Sequence, residues 1–151
     1  MVDFTGAGDV LLLRRTEPSH FWQSVTGSLE PREQPRPAAF RELLEETGLG
    51  RSAGVLFDLR RAVRFPILPT WRSRYAPGVH YNREHWFAFG LPGRRPVRLN
   101  RAEHRQYRWA PLGRAASLAT SWTNRHAILS LWALIPALRA GPSGRETGPS
   151  P

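Results

Sequence analysis

The chain has 151 residues, which is enough for one domain with a substantial core. It contains no cysteine, which excludes disulfides, thiolate catalysis and cysteine-bound zinc and is compatible with a reducing cytoplasm. The formal net charge of +10 is carried wholly by arginine, because lysine is absent. These arginines are dispersed, so we predict no dedicated nucleic-acid surface, and a general preference for arginine over lysine explains the charge more simply.

No membrane span is predicted either. The longest apolar run, residues 127–138, is too short to cross a bilayer and contains Pro136. The chain also lacks an N-terminal basic and apolar signal segment.

β-Branched and aromatic residues bounded by proline, glycine and asparagine predict the strands. In chain order, we predict strands at residues 10–13 and 21–26, a helix at 37–47, strands at 55–68, 81–91 and 106–109, and a helix at 120–138. The last helix has Thr120, Ser121, Thr123 and Asn124 as candidate caps. This order favours an α/β layered fold.

The last helix and the C-terminal segment give two further predictions. Near one face of the helix lie Ile128, Leu131, Trp132 and Ile135, and we predict that this face, including Trp132, belongs to the core. Residues 140–151 lack apolar anchors, which predicts a domain at 1–139 followed by a disordered tail at 140–151.

The densest pattern lies in residues 27–49, GSLEPREQPRPAAFRELLEETGL. In the predicted helix, Phe40, Leu43 and Leu44 would bury one face. On the opposite side, the carboxylates of Glu42, Glu45 and Glu46 would share one patch, because residues three and four apart are neighbours on a helix.

Like charges at this spacing repel each other, so the patch needs a cation. Oxygen ligands of this kind suit Mg²⁺. Arg41 can pair with Glu45 at i,i+4 and orient it. For an arbitrary helix a solvated acidic face would be the simpler interpretation, but the flanking Gly27, Glu33 and Gly48 favour a metal site.

The spacing of these residues resembles the signature of the Nudix hydrolases, G-x5-E-x7-R-E-U-x-E-E-x-G-U, where U is a bulky aliphatic residue. Every fixed position is filled, from Gly27 through Glu33 to the run Arg41–Leu49. The resemblance implies an α/β/α sandwich, a mixed sheet between helices, with the acidic helix lining a cleft. It also implies a longer strand before Val10, so either that strand is short or the natural protein continues beyond Met1.

Other strings resemble one branch of this family, the bacterial dihydroneopterin triphosphate diphosphatases. These strings are FWQSVTG at 21–27, RYAPGV at 74–79, the Asn82, Glu84, Trp86 and Phe87 spacing, Trp109, and SWTNRHAI at 121–128. The resemblance implies release of pyrophosphate and formation of dihydroneopterin monophosphate from a small triphosphate substrate, with Mg²⁺ as cofactor and Mn²⁺ as a substitute. The implied metal ligands are Glu42, Glu46, Glu45 and Glu103.

The same resemblance implies a set of substrate-binding residues: Arg14, Thr26, Phe65, Pro66, Ile67, Leu68 and Ser121. Each has a plainer interpretation from the residues alone. Arg14 could be a surface cation and Ser121 a helix cap, whereas Phe65, Ile67 and Leu68 could be at least partly core. Arg74 and Tyr75 could bind phosphate or pterin or could simply form a turn. We expect solvent-facing or structural roles for His80, His85 and His104.

Three glutamates, Glu45, Glu46 and Glu103, are candidates for the base that takes a proton from the attacking water. Glu33 is expected to fix the loop against the helix, and Gly27 to permit a close backbone path. Two alternatives stay open. One is a housecleaning pyrophosphatase acting on ordinary or oxidised nucleotides, and the other is a non-catalytic module that binds RNA or a nucleotide-like ligand.

Overall fold

The computed structural model describes residues 1–139, so the predicted tail at 140–151 lies outside the described residues. The strands are β1 Val2–Thr5, β2 Asp9–Arg15, β3 Trp22–Gln23, β4 Val55–Pro66, β5 Tyr81–Leu91 and β6 His104–Pro111. The helices are α1 Pro35–Thr47, α2 Leu112–Leu118 and α3 Trp122–Arg139, with short 3₁₀ turns at Arg51–Ala53 and Pro69–Arg74.

The strands form one mixed sheet in the order β3-β2-β1-β5-β4, and β6 pairs with β2. β1 runs parallel to β5, with Val2 opposite Ala88, while the other pairs are antiparallel. β1 is only four residues long but lies in the middle of the sheet. The family resemblance implied either a short first strand or more chain before Met1, and a strand of four residues is compatible with both.

Apolar side chains on the two faces of the sheet form two core clusters. One cluster includes Leu43 of α1, and the other includes Ala115 of α2 and Ile128 of α3. The sheet therefore lies between α1 on one side and α2 with α3 on the other, which confirms the predicted α/β/α sandwich. No helix within residues 1–139 has the length and hydropathy needed to cross a membrane.

Local sequence explains where α1 begins and ends. It begins at Pro35, two residues before the predicted start, because a proline at the first position loses no helical hydrogen bond. It ends at Thr47, because the next residue, Gly48, takes the left-handed conformation with φ of 72° and donates its N–H to the carbonyl of Leu44. Leu43 is fully buried, which contributes roughly 1.5–3 kcal/mol. The prediction for Leu44 was wrong: it is 53% exposed, since it lies one position past the buried stripe.

In α3 the predicted core face is correct for Ile128, Leu131 and Ile135, which are buried. The prediction for Trp132 was wrong, because its side chain is 60% exposed. Trp132 stands at the edge of the buried stripe and lines a shallow groove of about 280 Å³ beside Gly8.

The remaining strand predictions hold with changed bounds. The segment predicted at 21–26 pairs with β2 only at Trp22 and Gln23, and the segment predicted at 106–109 extends to His104–Pro111. β4 ends at Pro66. Beyond it, Ile67 is buried, but the prediction that Leu68 is partly core was wrong, because Leu68 is 65% exposed at the entry to the 3₁₀ turn.

Candidate active site

Arg41 organises the loop that precedes α1. Its Nε and Nη2 donate to the two carboxylate oxygens of Glu33 at 3.0 and 2.8 Å, and Nη2 also donates to the carbonyl of Ser28 at 2.9 Å. Its Nη1 donates to Glu42 at 2.8 Å and to Glu45 at 3.2 Å, so the predicted i,i+4 pair is present. Hydrogen bonds from Arg41 and from the backbone N–H of Glu30 lower the pKa of Glu33 to about 2. The loop is therefore fixed to the helix through charged hydrogen bonds.

Gly27 lies directly against the carboxylate of Glu42. A Cβ atom at position 27 would stand 1.7 Å from Cδ of Glu42, so only glycine leaves room for this approach. Burial raises the pKa of Glu42, and the Arg41 guanidinium opposes that rise. The close approach predicted for Gly27 is thus made to one of the helix carboxylates.

Glu46 is the most deeply buried of the helix glutamates, with 1% of its surface exposed. Its Oε2 accepts the backbone N–H of Thr26 at 3.4 Å. Burial raises the pKa of Glu46, while the neighbouring His104 lowers it and the charge of Glu103 adds to the rise. A buried carboxylate of this kind needs a cation or strong donors to remain ionised.

The start of β6 brings further ligands to Glu46. One ligand atom each from Glu46, Glu103 and His104 lies within 4.8 Å of the others, which is the spacing of groups that could hold a metal ion. Oε1 of Glu103 accepts a hydrogen bond from Asn100 at 3.1 Å, and Nε2 of His104 lies 3.4 Å from Oε1 of Glu46. Oε1 of Glu46 and both ring nitrogens of His104 are buried without a hydrogen-bond partner among residues 1–139. These unsatisfied atoms fit a site built for a divalent cation.

The structure thus joins two of the four predicted metal ligands, Glu46 and Glu103, in one group. Glu42 and Glu45 instead direct carboxylate oxygens at Arg41, and the Glu45 side chain is 51% exposed. Glu42 still contributes to the same electrostatic environment, because its charge and that of Glu46 disfavour each other.

Sequence reasoning did not select His104 for the site. The expected role was solvent-facing or structural, and the solvent-facing alternative was wrong, because His104 is fully buried beside Glu46. The predicted strand at 106–109 began two residues after His104, so its sequence offered only the neighbouring Glu103 as a signal.

The predicted substrate residues occupy different surroundings. Thr26 donates its backbone N–H to Glu46, and its hydroxyl accepts a hydrogen bond from Gln23 at 2.9 Å. Arg14 donates to the carbonyl of Ser19 at 2.6 Å, and its guanidinium lies over the ring of Trp22.

Ser121 acts as the cap of α3, because its Oγ accepts the backbone N–H of Asn124 at 3.1 Å. Within the segment Phe65, Pro66, Ile67 and Leu68, Ile67 is buried and Leu68 is exposed. The hydroxyl of Tyr75 lies 3.4 Å from the side-chain amide of Asn82, which ties the predicted turn to β5.

Comparison with known proteins places this geometry in a family. The model of the NUDIX domain matches residues 1–133. Dihydroneopterin triphosphate diphosphatase of Escherichia coli K12 is 45% identical over 121 residues, which is 79% of each chain. The enzyme of the same name from Haemophilus influenzae is 36% identical over 121 residues, covering 79% of this chain and 75% of its own.

A solved structure agrees with these sequence matches. The E. coli dihydroneopterin triphosphate pyrophosphohydrolase superimposes with a TM-score of 0.80 and 42% identity, covering 85% of this chain and 89% of that one. The family match, the relatives and the structural likeness all extend well beyond the helix that carries the glutamates. This chain belongs to the Nudix hydrolase family.

Proposed function

We propose that this protein hydrolyses dihydroneopterin triphosphate to dihydroneopterin monophosphate and pyrophosphate. The observation that carries the proposal is the likeness to the E. coli enzyme of that activity, which holds in sequence and in structure over most of both chains. The complete glutamate motif supports hydrolysis rather than ligand binding alone.

We propose Mg²⁺ as the physiological cofactor, with Mn²⁺ as a substitute, because the site offers mainly carboxylate oxygens. Glu46 and Glu103 would hold it, with Glu42 and Glu45 as further candidate ligands beside them. When bound, the ion would neutralise the charge on phosphate oxygens and lower the pKa of a bound water.

The roles of the protein's own groups follow from their contacts. Arg41 donates hydrogen bonds to Glu33, Glu42 and Glu45, so the loop before α1 and the helix are held together. We assign proton transfer from the attacking water to Glu103, because Asn100 orients one of its oxygens while Glu46 is buried and Glu45 bonds Arg41. If Glu103 is this base, Glu103→Gln should lower kcat far more than it changes KM, and an unchanged kcat would contradict the assignment.

We propose that residues outside the motif at 27–49 recognise the pterin ring of the substrate. The motif itself cannot distinguish pterin from nucleotide triphosphates, because both present the same phosphates. Thr26, Arg14, Ser121 and the segment at 65–68 remain our candidates for this recognition. A small-molecule substrate and a cytoplasmic location belong to the same proposal.

The test is a side-by-side assay of pyrophosphate release from dihydroneopterin triphosphate and from a panel of ordinary and oxidised nucleotides. We expect the highest kcat/KM for the pterin substrate. A higher value for a nucleotide would instead support a housecleaning pyrophosphatase, and no turnover of any substrate with Mg²⁺ would support a binding module.

The same assay tests the site through Glu46→Gln, which keeps the shape of the side chain and removes its charge. Loss of a metal ligand should cost several kcal/mol of transition-state stabilisation, with about 1.4 kcal/mol for each tenfold in rate. Glu17→Gln is the matched control, because Glu17 is exposed in the loop after β2. Turnover of the Glu46 variant within about twofold of the parent would refute the site assignment.

A further inference from the structure

The imidazole of His104 is enclosed at the start of β6. Its exposed surface is 0%, and among residues 1–139 neither ring nitrogen has a hydrogen-bond partner. Oε1 of Glu46 lies 3.4 Å from Nε2. Hydrogen bonds from N–H to oxygen span about 2.7–3.2 Å, and contacts in an active site commonly shorten to this range when the site is occupied.

Glu46 has one neighbour for each of its oxygens. Oε2 faces the backbone N–H of Thr26, and Oε1 faces His104. A donor at each oxygen fixes the plane of the carboxylate and leaves the remaining lone pairs available to a cation. Without His104, Oε1 would be a buried anionic atom free to rotate away from the site.

The ring could instead bind the ion directly, since a ligand atom of His104 lies within 4.8 Å of those of Glu46 and Glu103. Two observations favour donation to the carboxylate. The other ligands are oxygens, which suit Mg²⁺ better than a site with nitrogen does. Nε2 of the ring also lies 3.4 Å from a carboxylate oxygen of Glu46, and groups around a metal site commonly hold its ligands in place through such contacts.

We propose that His104 is a positioning residue, whose Nε2–H holds Oε1 of Glu46 so that this carboxylate is oriented for the divalent ion. The inference rests on the proposed metal dependence but not on the identity of the substrate. The motif of residues 27–49 supplies only Glu46 to this contact. His104 comes from a strand more than fifty residues later in the chain.

The test measures Mn²⁺ binding to the full chain without substrate, from the electron paramagnetic resonance signal of the free ion. In His104→Gln the side-chain amide can place an N–H near the position of Nε2, whereas His104→Leu fills the space without a donor. We expect the glutamine variant to bind within about threefold of the parent and the leucine variant to bind about 10–100-fold more weakly. His126→Leu is the control, because His126 is exposed on α3 beside Trp122, and it should bind as the parent does.

Two results would overturn the proposal. Equal losses for glutamine and leucine would show that the ring is needed for something other than its N–H group. A nitrogen coupling from the imidazole in the pulsed spectrum of bound Mn²⁺ would show direct ligation. If the leucine variant does not fold, His104→Asn replaces it, since the shorter amide cannot reach the Nε2 position and should bind weakly.

A double-mutant cycle separates positioning from a general structural role. In the Glu46→Gln background, His104→Leu should cause little further loss of Mn²⁺ affinity, because the group it orients is already altered. Additive losses would contradict the proposal. None of these measurements uses a triphosphate, so the positioning role can stand even if the substrate panel rejects dihydroneopterin triphosphate.

Discussion

Arg41 and Glu33 are joined by two parallel hydrogen bonds, at 3.0 and 2.8 Å, that connect the second turn of α1 to the loop before it. Such a fork gives both strength and a fixed orientation, because the planar guanidinium matches the carboxylate. The same side chain reaches Glu42 and Glu45. One arginine therefore sets the path of the loop and the direction of the helix carboxylates together.

Arg41→Lys should keep the positive charge but no longer hold the loop and the helix carboxylates together. A lysine ammonium is a single donor centre and cannot form the fork, so we expect kcat/KM to fall by at least about tenfold. Arg94→Lys is the matched control, because Arg94 makes a similar fork with Asp9, at 2.8 and 2.7 Å, but is 57% exposed. Steady-state kinetics check both variants, and similar losses in the two would show that Arg41 has no special role in the site.

Gly27→Ala should displace the Glu42 carboxylate, because the added Cβ would stand 1.7 Å from its Cδ. A displacement of this order costs about a hundredfold in rate when it moves a group of the active site. We expect a matching fall in kcat/KM for the proposed substrate and weaker binding of Mn²⁺. In Gly113→Ala, by contrast, the new methyl meets nothing within 4 Å, so activity should be retained. Full activity of the Gly27 variant would mean that Glu42 can move without consequence.

The local part of the site could be predicted from the sequence because its contacts are local. Gly27, Glu33, Arg41 and the helix glutamates fall within 23 consecutive residues, and helix periodicity correctly predicted the i,i+4 pair of Arg41 and Glu45. The stop at Gly48 is equally local, since only a residue that tolerates positive φ suits it. The mixed sheet followed from the family resemblance more than from strand patterns.

The part of the site that comes from distant segments of the chain could not be predicted. A sequence pattern does not show which helix or strand packs against which other element. His104 meets Glu46 only because β6 pairs with β2. The strand patterns did not place β1, although it is central, because it is four residues long and contains the acidic residue Asp3; only the family resemblance implied a strand before Val10. Trp132 and Leu44 look apolar enough for the core, and only the packing of their helices leaves them exposed.

Ser121 offers a test that separates a helix cap from a substrate contact. Its Oγ accepts the N–H of Asn124, so Ser121→Ala should lower the free energy of unfolding by about 1 kcal/mol. Ser121→Asp keeps a capping oxygen and should restore that stability. Chemical denaturation measures the change in stability. The ratio of kcat/KM for dihydroneopterin triphosphate and dATP measures any change in substrate preference. If both variants leave this ratio unchanged, Ser121 has only the structural role.

Asp3 should make the stability of the protein decrease with rising pH. It is fully buried in β1, and within residues 1–139 neither of its oxygens has a hydrogen-bond partner. Burial raises its pKa from 3.8 to about 7; the positive N-terminus opposes this rise and the charge of Glu46 adds to it. Because the folded pKa is above the unfolded one, the neutral acid is favoured in the folded state. Its stabilisation is complete below pH 3.8 and is lost as the pH rises through about 7.

Asp3→Asn should remove this dependence, since asparagine does not titrate. The variant should gain stability relative to the parent between pH 4 and pH 8 by about 4 kcal/mol, which corresponds to a shift of about three pKa units. Denaturant titrations of both proteins across this range measure the difference, in which the contributions of unaltered groups largely cancel. Asp9→Asn is the control of opposite sign, because a hydrogen bond from Arg94 lowers the pKa of Asp9, and its removal should destabilise the protein more at neutral pH than at low pH. A difference curve for Asp3→Asn that stays flat with pH would show that folding does not raise the pKa of Asp3.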